Sequence, residues 1–173
     1  MMQTSSPPAA VRAVPLTQAA FAPYGDVLEH AGPARRRYVS TPYSVAAGSL
    51  QHKMWISRLE QPLASPVGVT ALERHVRSAQ TFIPLTHSPY LVIVAPSLPD
   101  GLPDLARLQA FVASGRQGVS YAPGVWHHGL SAMRGGAEFV VTMAVAGDGG
   151  DDEFWPLPAP VHVTIPATLP EGA

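Results

Sequence analysis

Cysteine is absent from the 173-residue sequence. Its absence excludes disulfide bonds, thiolate zinc sites, iron–sulfur clusters and a cysteine nucleophile, which leaves His, carboxylate and amide side chains as ligands for a metal. Charge is also scarce, at 13% of residues, with a formal net charge of -1. A chain so close to neutral lacks the clustered basic surface that nucleic acids and anionic membranes require. We therefore expect neither a nucleic acid nor a membrane as the partner.

Long hydrophobic runs are missing as well. The longest, residues 91–96, is far shorter than the roughly 20 residues that a transmembrane helix needs. The first ten residues contain no basic cluster followed by an apolar run, which is the pattern of a secretory signal. These two absences predict a soluble, cytoplasmic protein.

Proline and glycine, by contrast, are abundant, with 19 and 15 residues that separate short apolar segments. This spacing is typical of a sandwich or barrel built from many short strands. No repeat or linker divides the chain, so we expect one domain over residues 11–166, with flexible tails at 1–10 and 167–173. The predicted strands are residues 39–45, 53–59, 67–75, 80–85, 91–95, 118–121, 127–131, 139–146 and 161–165.

One segment has helical rather than strand spacing. In residues 104–114, the apolar side chains Leu105, Leu108 and Val112 recur at intervals of three and four, and Gly115 follows the segment. An acidic residue opens it, as is common in a first helical turn. The pattern predicts a surface helix packed against the β domain.

Two segments carry the side chains best suited to chemistry. In the first, Glu73 and His75 share one face of a predicted strand, because side chains alternate along a strand. A short turn would then bring Gln80 back beside them. In the second, two histidines, His127 and His128, begin a strand on opposite faces. Only one of the two can face the same interior as Glu73.

The remaining polar groups are expected to be ordinary. An isolated histidine lacks the convergent partners that a site needs, so four of the seven histidines are predicted to be solvated or structural. The acidic residues Asp148 and 151–153 are expected to form a solvated loop, since the ligand spacing of an EF-hand is absent. Arg74 is expected outside the barrel. The four histidines are His30, His52, His87 and His162.

The two segments resemble the paired motifs of cupin barrels. The resemblance implies a mainly β fold, a double-stranded β-helix resembling a jelly-roll barrel, with one or two surface helices. Four positions match the usual metal ligands, and they are named the quartet below. Carboxylate, imidazole and amide donors suit a divalent ion. A metal-free pocket that uses the same groups as acid, base and hydrogen-bond donors is the equal alternative. The matching positions are Gly68, Pro123 and Gly124, together with the quartet Glu73, His75, Gln80 and His127.

A narrower resemblance is to the ureidoglycolate lyase family. It implies cleavage of ureidoglycolate to glyoxylate and urea in allantoin and purine degradation, a homodimer, and nickel as the divalent metal. Three places depart from the family pattern. Residues 76–79 lack the serine that directly precedes the glutamine in the family, Gly129 replaces a proline, and Met143 and Ala144 replace an Asp-Arg pair. The resemblance rests on residues 16–27, 72–75, 80–85, 89–96, 118–128 and 139–141.

The lyase resemblance also implies roles for the quartet. Either Glu73 or His127 would be the base, and the other would help His75 and Gln80 to hold the substrate or ligate the metal. Further substrate-binding candidates are two tyrosines, a tryptophan and a histidine. Packing is the commoner role for the aromatic ones, and the histidine could instead support the site or a subunit contact. These four are Tyr24, Tyr121, Trp126 and His128.

Two other functions fit the same residues. A non-catalytic cupin could bind a small carboxylate or ureido compound as a sensor, and the missing Asp-Arg pair favours this hypothesis. A different metal-dependent cupin enzyme, such as a sugar isomerase or a dioxygenase, could use Glu73, His75 and His127 as a facial triad.

Overall fold

A computed structural model describes residues 8, 10–30, 32–40, 50–64, 66–146 and 150–167. Strands dominate this part of the chain, and α1, Gln18–Phe21, is a single turn of helix begun by the Thr17 hydroxyl, which accepts from Ala20 N. The strands are β1 Ala10–Arg12, β2 Val14–Pro15, β3 Gly25–Leu28, β4 Leu50–Leu59, β5 Val67–His75, β6 Gln80–Pro84, β7 Tyr90–Ala95, β8 Gln109–Ala113, β9 Gly118–Tyr121, β10 Trp126–His127, β11 Ser131–Ala132, β12 Ala137–Ala146 and β13 Asp152–Thr164.

The strands form two sheets. Sheet A has the order β1-β13-β5-β10-β7-β8-β2, and β11 also pairs with β7; sheet B has the order β3-β9-β6-β12-β4. Most neighbouring pairs are antiparallel, and the first two strands pair in parallel with β13 and β8. The prediction of a mainly β, cupin-type barrel is confirmed.

Two apolar clusters cover the opposite faces of sheet A. Alternate residues of β7 divide between them: Val92 and Val94 join the cluster that includes sheet B residues such as Phe82 and Phe139, while Ile93 joins the other cluster. All six residues of β7 are buried. The central strand is therefore covered on both sides, as its continuous apolar sequence predicts.

The predicted helix over residues 104–114 is wrong. Leu105–Arg107 is a 3₁₀ turn, and Asp104 makes no capping hydrogen bond through its side chain. The rest of the segment is β8, which pairs with both β7 and β2. Four consecutive residues, 110–113, are buried. Leu105 and Leu108 are buried in and just after the turn, and Val112 is buried within β8, so their helical spacing arises without a helix.

Most other predicted strands correspond to observed ones. The segment predicted at 127–131 is split, because residues 128–130 separate β10 from β11. The C-terminal strand is much longer than residues 161–165, since β13 begins at Asp152. Residues 41–45 of the predicted 39–45 strand lie outside the described residues. In the described part of the chain, no helix has the length and apolar character needed to span a membrane.

Candidate active site

Strand pairing brings the two predicted segments together. Glu73 on β5 and His127 on β10 are directly opposite each other in antiparallel strands. His75 lies two residues further along β5 on the same face, and Gln80 opens β6 after the intervening turn. His75, Gln80 and His127 are buried, and Glu73 is partly exposed. The quartet therefore lines one interior position.

His127 is surrounded by hydrogen-bond acceptors. Its Nδ1 donates to the Val125 carbonyl (2.9 Å), and its Nε2 lies 3.0 Å from Gln80 Oε1 and 3.5 Å from Glu73 Oε1. The Tyr121 ring stacks on the imidazole at a centroid distance of 4.2 Å. Because all three partners accept, these contacts are satisfied together when both ring nitrogens of His127 carry a proton.

Glu73 complements this imidazole with a negative charge. The hydrogen bond from His127 is the largest influence on the Glu73 pKa and lowers it below its usual value, against the opposing effect of burial. The carboxylate thus stays ionised in a largely enclosed site. Glu73 and His127 form a carboxylate–imidazole pair able to move or hold a proton.

His75 has a different environment. Its Nδ1 lies 2.7 Å from Asp152 Oδ1, and its Nε2 is buried without a hydrogen-bond partner. Among the residues that the structure describes, no other buried side-chain nitrogen or oxygen lacks one. An unpaired buried polar atom is costly to leave empty, so Nε2 is a free ligand or proton-acceptor position. The rings of His75 and His127 are 5.5 Å apart.

The expected solvated acidic loop is wrong for residues 151–153. Asp151 is buried and accepts from Arg77 N (2.6 Å) and the Ser78 hydroxyl (3.0 Å), which fixes the turn between β5 and β6. Asp152 contacts His75, and Glu153 pairs with Arg74. Asp148 lies outside the described residues. These roles had no sequence signal, because three prolines between residues 156 and 160 argue against the strand that aligns residues 152–154 with β5.

The secondary candidates are distributed more widely. Tyr121 contacts the quartet through its stacking on His127. Tyr24 is buried, lines a separate cavity of about 320 Å³ beside Arg107, and has a pKa raised by burial. Trp126 packs in the apolar cluster that contains Ile93, on the face of sheet A away from sheet B. The Arg74 guanidinium lies 4.4 Å from the centre of its ring, and the indole N–H donates to the Gly101 carbonyl. The structure therefore does not bring Trp126 or Tyr24 into the quartet.

His128 lies beside the quartet rather than in it. Its Nδ1 contacts the Gly129 carbonyl at 2.9 Å, and Ser131 Oγ lies 3.2 Å from the same nitrogen. Burial lowers the His128 pKa, which favours a neutral ring. Met143 reaches the quartet itself, since Gln80 Nε2 lies 3.5 Å from its sulfur.

Three of the quartet residues could hold a metal ion. Glu73, His75 and His127 each offer a ligand atom within 4.8 Å of the others. The free Nε2 of His75 and a donor set of two imidazoles and a carboxylate fit a borderline divalent ion. A second set, His75 with Asp151 and Asp152, has the same spacing. Both Asp151 oxygens already accept hydrogen bonds, so the first set fits better.

A β-barrel with a carboxylate, an amide and two imidazoles on its inner strands is consistent with the cupin superfamily. The family model described as ureidoglycolate lyase matches residues 8–164. The chain therefore belongs to the ureidoglycolate lyase family.

Curated relatives agree with this assignment. A ureidoglycolate lyase of Burkholderia mallei (strain NCTC 10229) is 40% identical over 168 residues, covering 92% of this chain and 96% of that protein. One from Pseudomonas aeruginosa (strain LESB58) is 38% identical, covering 82% and 88%. One from Azotobacter vinelandii is 34% identical, covering 82% and 89%. A solved dTDP sugar isomerase from Desulfovibrio desulfuricans G20 aligns over 75% of this chain and 74% of its own at 16% identity, with a TM-score of 0.47.

Proposed function

We propose that this protein is a ureidoglycolate lyase, which cleaves ureidoglycolate to glyoxylate and urea during allantoin and purine degradation. Family membership over residues 8–164 supports the reaction. The observation that carries it is the convergence of Glu73, His75, Gln80 and His127 at one interior position. These groups can exchange protons with a small polar substrate without a redox cofactor or a covalent intermediate.

The reaction is a retro-addition that needs a base at the substrate hydroxyl and an acid at the departing nitrogen. His127 suits the acid role, because its contacts with Gln80 and Glu73 favour a proton on Nε2. The Glu73 carboxylate would stabilise that proton until transfer. The buried setting strengthens these interactions by limiting competition from water.

We also propose a divalent metal, nickel by family resemblance, held by Glu73, His75 and His127. When bound, such an ion would act as a Lewis acid toward substrate oxygens. His127 can ligate it through Nε2 only after giving up the proton and the Gln80 contact. Metal analysis of the purified protein, combined with activity before and after chelation, separates this role of His127 from the acid role. Full activity with no bound metal would contradict the metal proposal.

The experiment for the reaction is direct. Purified protein incubated with ureidoglycolate should release glyoxylate, measured by trapping its aldehyde. The variant His127→Ala should lose about 10²–10⁴ in rate, as expected when a catalytic acid is removed. Glu73→Gln should lose about tenfold or more, because the charge that stabilises the His127 proton is removed. His162→Ala changes an exposed histidine on β13 and serves as the matched control.

Two outcomes would contradict the proposal. Losses below about tenfold in both variants would remove the proposed roles of Glu73 and His127. Absence of glyoxylate from the wild-type reaction would contradict the function itself. Binding of ureidoglycolate without turnover would then favour the non-catalytic alternative.

We further propose that the protein is a cytoplasmic homodimer with a single domain over residues 11–166. Support for the dimer comes from the outer face of sheet B, where Ile56, Val140 and Ile83 lie side by side on three adjacent strands. Ile56 and Ile83 are exposed. Apolar side chains clustered on an exposed sheet face are typical of an interface.

A further inference from the structure

The contact between His75 and Asp152 is built by strand pairing. The two residues are directly opposite each other on β5 and β13, so their side chains lie on the same face. The Nδ1–Oδ1 distance is 2.7 Å, typical of a charge-assisted hydrogen bond. His75 is buried, whereas Asp152 is about half exposed. A solvated carboxylate thus reaches inward to a buried imidazole.

This contact determines which ring nitrogen of His75 carries the proton. An ionised carboxylate only accepts hydrogen bonds, so Nδ1 must donate. In the neutral ring, Nε2 then keeps its lone pair. That nitrogen is buried and has no partner among the described residues, while His127 lies across the same site.

We propose that Asp152 is a positioning residue that holds His75 with an unprotonated Nε2 facing the substrate. The inference rests on the proposed lyase function and adds the base to it for the metal-free site, because a nitrogen that ligates a metal ion cannot also take a proton. His75 Nε2 would take the hydroxyl proton, the oxygen would form the carbonyl of glyoxylate, and the C–N bonding pair would pass to nitrogen. His127 would supply the proton that completes urea. One proton is taken up and one is given, so the reaction balances without a co-reactant.

Substitutions at Asp152 separate positioning from general stability. Asp152→Ala should lower kcat about 10- to 100-fold with little change in KM, the range typical for loss of a group that orients a histidine. Asp152→Asn offers an amide N–H that can donate to Nδ1 and so stabilises the opposite tautomer, and it should not recover that loss. Glu153→Ala is the matched control, because the neighbouring acid pairs with Arg74 rather than with His75.

A second measurement does not depend on substrate. Nitrogen-15 NMR of the imidazole rings, assigned with His75→Gln, distinguishes a protonated from an unprotonated ring nitrogen. In metal-free protein, the wild type should show Nδ1 protonated and Nε2 unprotonated, whereas Asp152→Ala and Asp152→Asn should both show protonation of Nε2 in part or all of the molecules. Thermal unfolding checks that each variant is folded.

The outcomes distinguish this inference from the lyase proposal. If Nε2 of His75 carries the proton in the wild type, or if Asp152→Ala matches the control in kcat, the positioning role is wrong. If the wild type releases no glyoxylate, the lyase function fails, but the NMR result still decides whether Asp152 sets the ring.

Discussion

At the scale of single residues, the two imidazoles of the site have opposite surroundings. His127 contacts acceptors on both ring nitrogens, whereas His75 has one acceptor and one empty side. These opposite surroundings support the proposed roles, in which His127 would give a proton and His75 would take one. Glu73 takes part as a fixed negative charge, because its depressed pKa makes it a weak base.

The hydrogen bond between Glu73 and His127 predicts that a substitution of His127 changes the pKa of Glu73. In metal-free protein, His127→Phe should raise the Glu73 pKa, since the hydrogen bond that mainly lowers it is lost and the opposing effect of burial remains. The aromatic ring preserves the stacking with Tyr121. Carbon-13 NMR titration of the Glu73 carboxyl measures the shift. An unchanged pKa in His127→Phe, compared with the exposed-site control His162→Ala, would contradict the link.

The sequence allowed part of the site to be predicted at this scale. Alternation along one strand places Glu73 and His75 on a common face, and a motif resemblance supplies Gln80 and His127. Asp152 could not be predicted, because its role depends on pairing between strands about 77 residues apart. Local pattern carries no information about that register.

At the scale of elements, the turn between β5 and β6 connects two quartet residues. It is held from outside by Asp151, whose carboxylate accepts from Arg77 N and Ser78 Oγ and whose carbonyl accepts from Val76 N. Because Asp151 is buried and accepts all three hydrogen bonds, it fixes the path by which the chain returns from His75 to Gln80.

These hydrogen bonds to Asp151 predict a lower free energy of unfolding for Asp151→Ala. The buried Ser78 hydroxyl and the partly buried Arg77 amide would lose their acceptor, which costs about 1–3 kcal/mol for an unsatisfied buried group. Urea unfolding measures the difference. Asp100→Ala is the matched control, because Asp100 also accepts from a turn amide, Leu102 N, but at an exposed position. Equal losses in the two variants would show that the Asp151 contacts have no special weight.

Element types were predictable where the apolar pattern was simple. The buried run of β7 and the alternation in β5 both correspond to observed strands. The segment at 104–114 was not, because Leu105 and Leu108 are buried in and just after a 3₁₀ turn, and Val112 is buried in the strand that follows. Tertiary burial, which the local sequence does not reveal, decided the outcome.

At the scale of the whole molecule, the outer faces of the two sheets differ. Sheet A is covered by its own apolar cluster, whereas β4, at the end of sheet B, is exposed along most of its length. Met54 and Ile56 project from that strand with 72% and 64% exposure. The composition indicated a barrel but not this asymmetry, because exposure depends on which strand ends the sheet.

The exposed face of sheet B predicts the dimer interface. The double variant Ile56→Glu/Ile83→Glu places charges in the centre of the apolar row, and burying unpaired charges strongly opposes association. Light scattering coupled to gel filtration should show a dimer for the wild type and a monomer for the variant, with circular dichroism unchanged because both side chains lie outside the barrel. Phe154 on β13, 66% exposed, offers a rival contact on sheet A. If Phe154→Glu dissociates the dimer and the double variant does not, association uses sheet A, and a monomeric wild type would remove the interface altogether.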